Sequence, residues 1–293
     1  MKTNADSIYL LGSTHTECQD YAGVNFGDDG SVIAALSDGC SSSPKTDVGA
    51  RILVETLLSH GASRMVKTLQ AGANPHDRDI EFHLFAHRIL SAWDAMRIPN
   101  SALDATLLGL IHADGKLIVI FWGDGVLHIQ HKNGEVSTLV VDYDRNHNAP
   151  YYPAYDMLPD RRNAEYRTQF GDPRPTRDWR SKTLRRPIEL ENTHPIFELP
   201  IDTIESVSIF SDGAQSFLKD LEHVKTFEVI DRCTDFKSIE GELVKRRINK
   251  CRKLWSKENV QHTDDFSMAT IFFPSEPQPE FEFENKEKST EES

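Results

Sequence analysis

The chain has 293 residues, enough for one large domain or two small ones, with 38% hydrophobic and 27% charged residues, the balance of a soluble globular protein. A formal charge of −13 argues against a general nucleic-acid binder, leaving only local basic patches open. No apolar run approaches the roughly 20 residues that cross a bilayer, and the first residues lack the apolar core of a secretion signal, so no membrane partner is expected.

Residues 8–11 and 21–26 read as early strands joined by the polar, turn-rich stretch GSTHTECQD. Residues 32–36, Val-Ile-Ala-Ala-Leu, are apolar throughout, as in a strand covered on both faces. After Pro44 and Asp47, residues Val48, Ile52, Leu53 and Leu57 follow helical spacing. A second helix is expected over 78–96, where Phe82, Phe85, Ile89, Trp93 and Met96 recur every three or four residues before Pro99. Then come ATLLGLI, KLIVIFW, VLHIQ and VSTLVV, separated by ADG, GDG and KNGE, which read as consecutive antiparallel strands. Residues 142–200 are rich in Pro, Tyr and Arg without periodicity, and are expected to form a flap inserted in the sheet.

A strand is expected over 201–210, helices over 224–233 and 239–255, and a closing strand at SMATIFF. Residues 276–293 are acidic and proline-containing and are expected to be a disordered tail. The order implies an α+β fold: two mainly antiparallel sheets packed as a sandwich and flanked by helices, one domain over residues 1–275. Cys18, Cys40, Cys233 and Cys251 are widely spaced with no Cys-x-x-Cys pair, which points to a reduced, cytoplasmic protein without structural zinc.

Acids at strand ends carry the chemistry. Three apolar runs finish in Asp-Gly, at Asp38-Gly39, Asp124-Gly125 and Asp212-Gly213, and Asp264-Asp265 precedes a fourth. Each Asp-Gly alone signals a turn. Four acids at the ends of four buried strands would force like charges together unless a cation joined them.

In order and separation, CQD, SDG, DATLLGL, GDG, SDG and DDFSMATI resemble the type 2C family of metal-dependent serine/threonine protein phosphatases, in a bacterial branch, over roughly residues 8–273. The resemblance implies a four-layer αββα fold and two Mg²⁺ or Mn²⁺ ions, with a third weaker site. It implies that Asp38 bridges both ions, that the Gly39 carbonyl holds one, and that Asp212 and Asp264 hold the other. Asp20 would orient bound water, and Asp124 would help form the third site. A hydroxide between two cations would then attack phosphoserine or phosphothreonine directly, without a phosphoenzyme.

Three positions depart from the family pattern. Gln19 stands where an acid is common and lowers the charge at one metal. His15 stands where many members carry a phosphate-gripping arginine, and its charge depends on pH. Cys40 and three serines follow Asp38-Gly39, where some members have a histidine. Cys40 reads as a small packing residue or a redox-sensitive thiol. His112 and His128 lie in strand-like runs and are expected to be structural, whereas His262 is a candidate neighbour of the site.

Residues 161–186 hold eight Arg and one Lys against Glu165, Asp172 and Asp178, so this part of the flap either engages an acidic or phosphorylated partner or is a solvated loop. The aromatic residues of NHNAPYYPAYD line a peptide groove or pin the loop to the body. The expected partner is a phosphorylated protein, such as a cognate kinase. The alternative is a catalytically silent phosphoprotein-binding or kinase-regulating member of the fold, which predicts lost metal ligands. A two-metal nuclease would want a cationic track that the overall charge opposes.

Overall fold

The computed structural model describes residues 3–143, 149–158, 163–171, 176–181 and 196–273. The chain opens with strands β1 (Asn4–Leu10), β2 (Tyr21–Phe26) and β3 (Val32–Ser37), then helices α1 (Thr46–Leu58), α2 (Ala62–Leu69) and α3 (Pro75–Met96). Pro75 occupies the first turn of α3 and the Asn74 side chain accepts the His76 N–H at 3.0 Å, so the helix begins three residues before its expected start. A meander follows: β4 (Leu107–Ala113), β5 (Lys116–Trp122), β6 (Gly125–His131) and β7 (Val136–Asp142).

Within residues 142–200 the structure differs from a plain flap. It contains helices α4 (Ala154–Met157) and α5 (Asn163–Phe170) and strands β8 (Thr176–Ser181) and β9 (Ile196–Leu199). β8 pairs with β7 and β9 with β5, so the insertion extends both main sheets at their edges. Four residues of alternating exposure in β9, and the polar TRDWRS of β8, are too short or too polar to stand out as strands. Arg161, Arg162, Arg174, Lys182, Arg185 and Arg186 of the basic segment lie outside the described residues, as does the acidic tail.

The chain returns through β10 (Ile204–Phe210), β11 (Phe217–Lys219), β12 (Glu222–His223), α6 (Thr226–Thr234), α7 (Leu243–Lys257), β13 (Val260–His262) and β14 (Phe266–Phe272). The sheets have the orders β1-β14-β10-β6-β7-β8, β2-β3-β4-β5-β9 and β12-β11-β13. All their pairings are antiparallel.

The run at residues 32–36 is apolar because both faces of β3 are covered. Val32, Ala34 and Leu36 meet Leu127, Val207 and Ile271 between the two large sheets, while Ile33 and Ala35 pack under α1 against Leu53 and Leu57. On the other flank α6 and α7 cover the six-stranded sheet through Val229, Ile230, Val244, Ile248 and Trp255. The layers are therefore helices, sheet, sheet, helices, the expected α+β sandwich. No helix among the described residues is long and apolar enough to cross a membrane.

Candidate active site

Asp38 follows β3, Asp124 lies in the turn from β5 to β6, Asp212 opens a short 3-10 turn after β10, and Asp264 precedes β14. Asp38, Gly39, Asp124, Asp212 and Asp264 line one cavity of about 120 Å³, together with Cys40, Ser41, Thr106, Pro150 and Tyr152. Local structure aims these carboxylates. The Asp38 N–H donates to Thr106 Oγ1 at 2.9 Å, and the Thr106 N–H donates to the Asp38 carbonyl at 2.8 Å, fixing the end of β3 against the start of β4. Gly123 and Gly125 flank Asp124 at φ +107° and +133°, backbone that side chains disfavour and that turns the acid into the cavity wall.

Like charges meet here without a compensating Lys or Arg among the described lining residues. Burial, then the charges of Asp20 and Asp212, raises the Asp38 carboxyl well above its ordinary range. Burial and Asp212 do the same to Asp124 and, to a lesser degree, to the half-exposed Asp264. Asp20, 2% exposed, is pushed up to about 7, chiefly by burial, although hydroxyls of Ser211 and Ser267 face it and offset part of the effect. Both its carboxylate oxygens lie buried without a well-formed hydrogen bond. Among the described residues no three acidic, histidine or cysteine side chains stand close enough to form a ready-made chelate.

His15 and Gln19 lie beside the cavity rather than on its wall. His15 Nε2 stands 3.4 Å from Asp264 Oδ1, and its Nδ1 3.1 Å from Asp265 Oδ2. Burial opposes its charge, but the contact with Asp265 and the charges of Asp265, Asp264 and Asp20 outweigh this and raise its pKa. The Gln19 side chain donates to Thr46 Oγ1 at 2.9 Å, at the first turn of α1. His128 bonds Thr138 at 2.8 Å inside the sheet, as expected of a structural histidine, and His112 packs against Phe273. His262 packs its ring on Phe217 and bonds the Asp264 backbone carbonyl at 3.0 Å.

Two residues matter that residue types alone did not single out. Asp265 accepts the N–H groups of Gly12 at 2.7 Å and Gln19 at 2.6 Å, tying the β1–β2 loop to β14. Tyr152 reaches the cavity from the insertion, while behind it Tyr151 stacks on Tyr155 and Tyr166 meets both edge-to-face, at centroid distances of 5.0–5.2 Å. The aromatic cluster therefore both pins the insertion and brings Tyr152 to the cavity wall. The doubled acid of DDFSMATI was the signal for Asp265; nothing short of the tertiary contact distinguishes Tyr152 from its neighbours.

Two antiparallel sheets thus pair between helical layers, and carboxylates from both sheets meet at one edge. The chain belongs to the protein phosphatase 2C family, whose model matches residues 13–250. Among solved structures it is similar to the serine/threonine phosphatase Stp1 from Staphylococcus aureus (TM-score 0.52, 11% identity, covering 94% of this chain and 96% of that one). It is also similar to the serine/threonine phosphatase of S. agalactiae (0.51, 12%, 93% and 100%). A third likeness is to PppA, described as a key regulatory component of T6SS in Pseudomonas aeruginosa (0.51, 13%, 93% and 98%). A search of curated protein sequences returns no match.

Proposed function

We propose that this chain is a metal-dependent protein phosphatase that hydrolyses phosphoserine and phosphothreonine in proteins. The observation that carries the reading is the concentration of buried carboxylates around one open cavity, with pKa values raised by burial and mutual repulsion and with no Lys or Arg among the described lining residues. Such a set is unfavourable alone and favourable around hard dications, which take carboxylate and carbonyl oxygens and keep several waters. The incomplete chelate fits ions held partly through water.

Asp38, the Gly39 carbonyl, Asp212 and Asp264 would hold two Mg²⁺ or Mn²⁺ ions, with Asp124 serving a third. Asp20 would orient their waters through hydrogen bonds to its free oxygens. Bound there, the ions would supply an activated water and neutralise charge on the phosphoryl group. His15, whose protonated form is favoured by its contacts with Asp265 and Asp264, would attract the phosphate from the rim when charged. The partner on this reading is a phosphorylated protein.

A catalytically silent phosphoprotein-binding member is the second reading, favoured by the engagement of Gln19 with Thr46 instead of the cavity. Hydrolysis of p-nitrophenyl phosphate and of a phosphothreonine peptide, with Mn²⁺, with Mg²⁺ and with chelator, separates the two. The phosphatase reading expects metal-dependent turnover that falls by about a hundredfold or more in Asp38→Asn and in Asp212→Asn. Absent turnover with no calorimetric Mn²⁺ binding would give the second reading the lead.

A further inference from the structure

We propose that the outer face of α7 is a docking surface for an acidic polypeptide and that its occupant is this chain's own segment 276–293, an inference independent of the phosphatase reading. α7 carries seven Lys and Arg and no acid over its 15 residues, inside a chain of formal charge −13. Arg246, Lys250, Lys253 and Lys257 recur at intervals of four, three and four. They form one exposed line about 16 Å long, on the side away from the buried Val244, Ile248 and Trp255.

Like charges so close repel unless a counter-charge joins them. Lys245 pairs with Glu242 at 2.8 Å and Arg247 with Asp235 at 3.2 Å, and Arg246 donates to the Ser238 carbonyl at 3.2 Å. Arg252, Lys253 and Lys257 have no ion-pair partner among the described residues.

The described chain ends beside this helix. The last residue of β14, Phe272, lies opposite Asn4 of β1. The Asn4 side chain donates to the Gly241 carbonyl at 3.0 Å, and the Lys245 N–H donates to Asp6 Oδ2 at 2.9 Å, so the first turn of α7 sits on the strand next to the exit of β14. Beyond that exit, residues 276–293 hold seven glutamates against two lysines. The 20 residues after Phe273 reach at most about 70 Å when extended and about 25 Å as a coil, against about 22 Å for the length of α7.

Tethering favours this occupant over others. A joined segment acts at an effective concentration of about millimolar, whereas a separate polyanion meets the repulsion of an acidic protein. Leu243, Val244, Ile248, Cys251 and Trp255 are committed to the core, so α7 has no apolar face left to enter a lipid bilayer. Charge contact of this sort needs no fixed backbone and weakens with salt. The segment then acts as a latch that keeps outside acidic partners off α7 until it is displaced or cut.

The test uses the whole chain and a carbodiimide, which joins a carboxylate to a lysine amine in contact with it. Peptide mapping is expected to find glutamates of 276–293 joined chiefly to Lys250, Lys253 and Lys257, with the yield falling about fivefold or more at about 0.5 M salt. In an equal mixture of nitrogen-15-labelled and unlabelled protein, each link should stay within one isotope. Combining Glu276→Gln, Glu280→Gln, Glu282→Gln and Glu284→Gln should raise the affinity for a fluorescent polyglutamate peptide about tenfold or more, and adding Lys250→Glu and Lys253→Glu should abolish that gain. Links spread evenly over Lys67, Lys116 and Lys132, or no link on α7, would overturn the proposal. Links between isotopes would also overturn it, making a second copy the occupant. So would equal polyglutamate affinity before and after the glutamine substitutions, the mark of an open face. A single-stranded oligonucleotide or a phosphatidylserine vesicle held through α7 as tightly by the unaltered protein as by the glutamine variant would overturn it in favour of nucleic acid or membrane.

Discussion

Asp265 binds two backbone hydrogens from residues some 250 positions away in the chain, Gly12 at 2.7 Å and Gln19 at 2.6 Å, and it is 2% exposed. Removing the carboxylate leaves both donors unpaired, each costing about 1–3 kcal/mol where buried. Asp265→Ala is therefore expected to destabilise the fold by about 2–4 kcal/mol in urea melts. It should also weaken Mn²⁺ binding, because the loop it anchors carries Asp20. Unchanged stability would show that the loop is held elsewhere.

The same residues show what a sequence exposes. Asp38, Asp124, Asp212 and Asp264 could be read because each interrupts an apolar run, where a charge demands a reason. The anchoring by Asp265 and the reach of Tyr152 were not readable, because each depends on a contact between distant segments.

At the level of elements, the turn after β10 is pressed against the start of β14. A Cβ built on Gly213 would lie 1.7 Å from the Asp265 carbonyl oxygen, a backbone atom with no rotamer by which to move aside. Gly213→Ala is expected to part these segments at a cost of about 1–3 kcal/mol, and to lower Mn²⁺ affinity because Asp212 and Asp264 move with them. Differential scanning fluorimetry with and without Mn²⁺ measures both, and a variant with native melting and native metal response would refute the close approach.

Elements buried on both faces, such as β3, β5 and β14, were legible as short apolar runs, and α3 by its helical spacing. The edge strands β8 and β9 were not, since a strand supported on one side needs little apolar character. Helix α2 also escaped notice, being eight residues set off from α1 only by the break at His60-Gly61.

For the whole molecule, the carboxylate cluster sets the pH response of the metal-free protein. Asp20 titrates near 7 in the folded state against about 4 when exposed, and Asp38 and Asp124 are raised as well. The folded chain then holds more protons than the unfolded one between those values, so stability falls as pH rises from about 4 to about 7. His15 adds in the same direction, since its raised pKa gives stability that is lost as pH climbs through it. Thermal melts in chelator are expected to be lower at pH 7.5 than at pH 5, with Mn²⁺ restoring more at the higher pH. A metal-free melt that rises over that range would mean the acids are relieved some other way.

β1 and β14 are antiparallel neighbours, paired from Asn4 with Phe272 to Leu10 with Phe266. During synthesis Asp38 emerges more than 200 residues before Asp264, and the first strand must wait for the last before the six-stranded sheet can close. A nascent chain on the ribosome therefore carries half a site and no means of finishing it. The cavity cannot assemble until β14 and Asp264 have emerged, a delay during which helper proteins have an exposed sheet edge to guard.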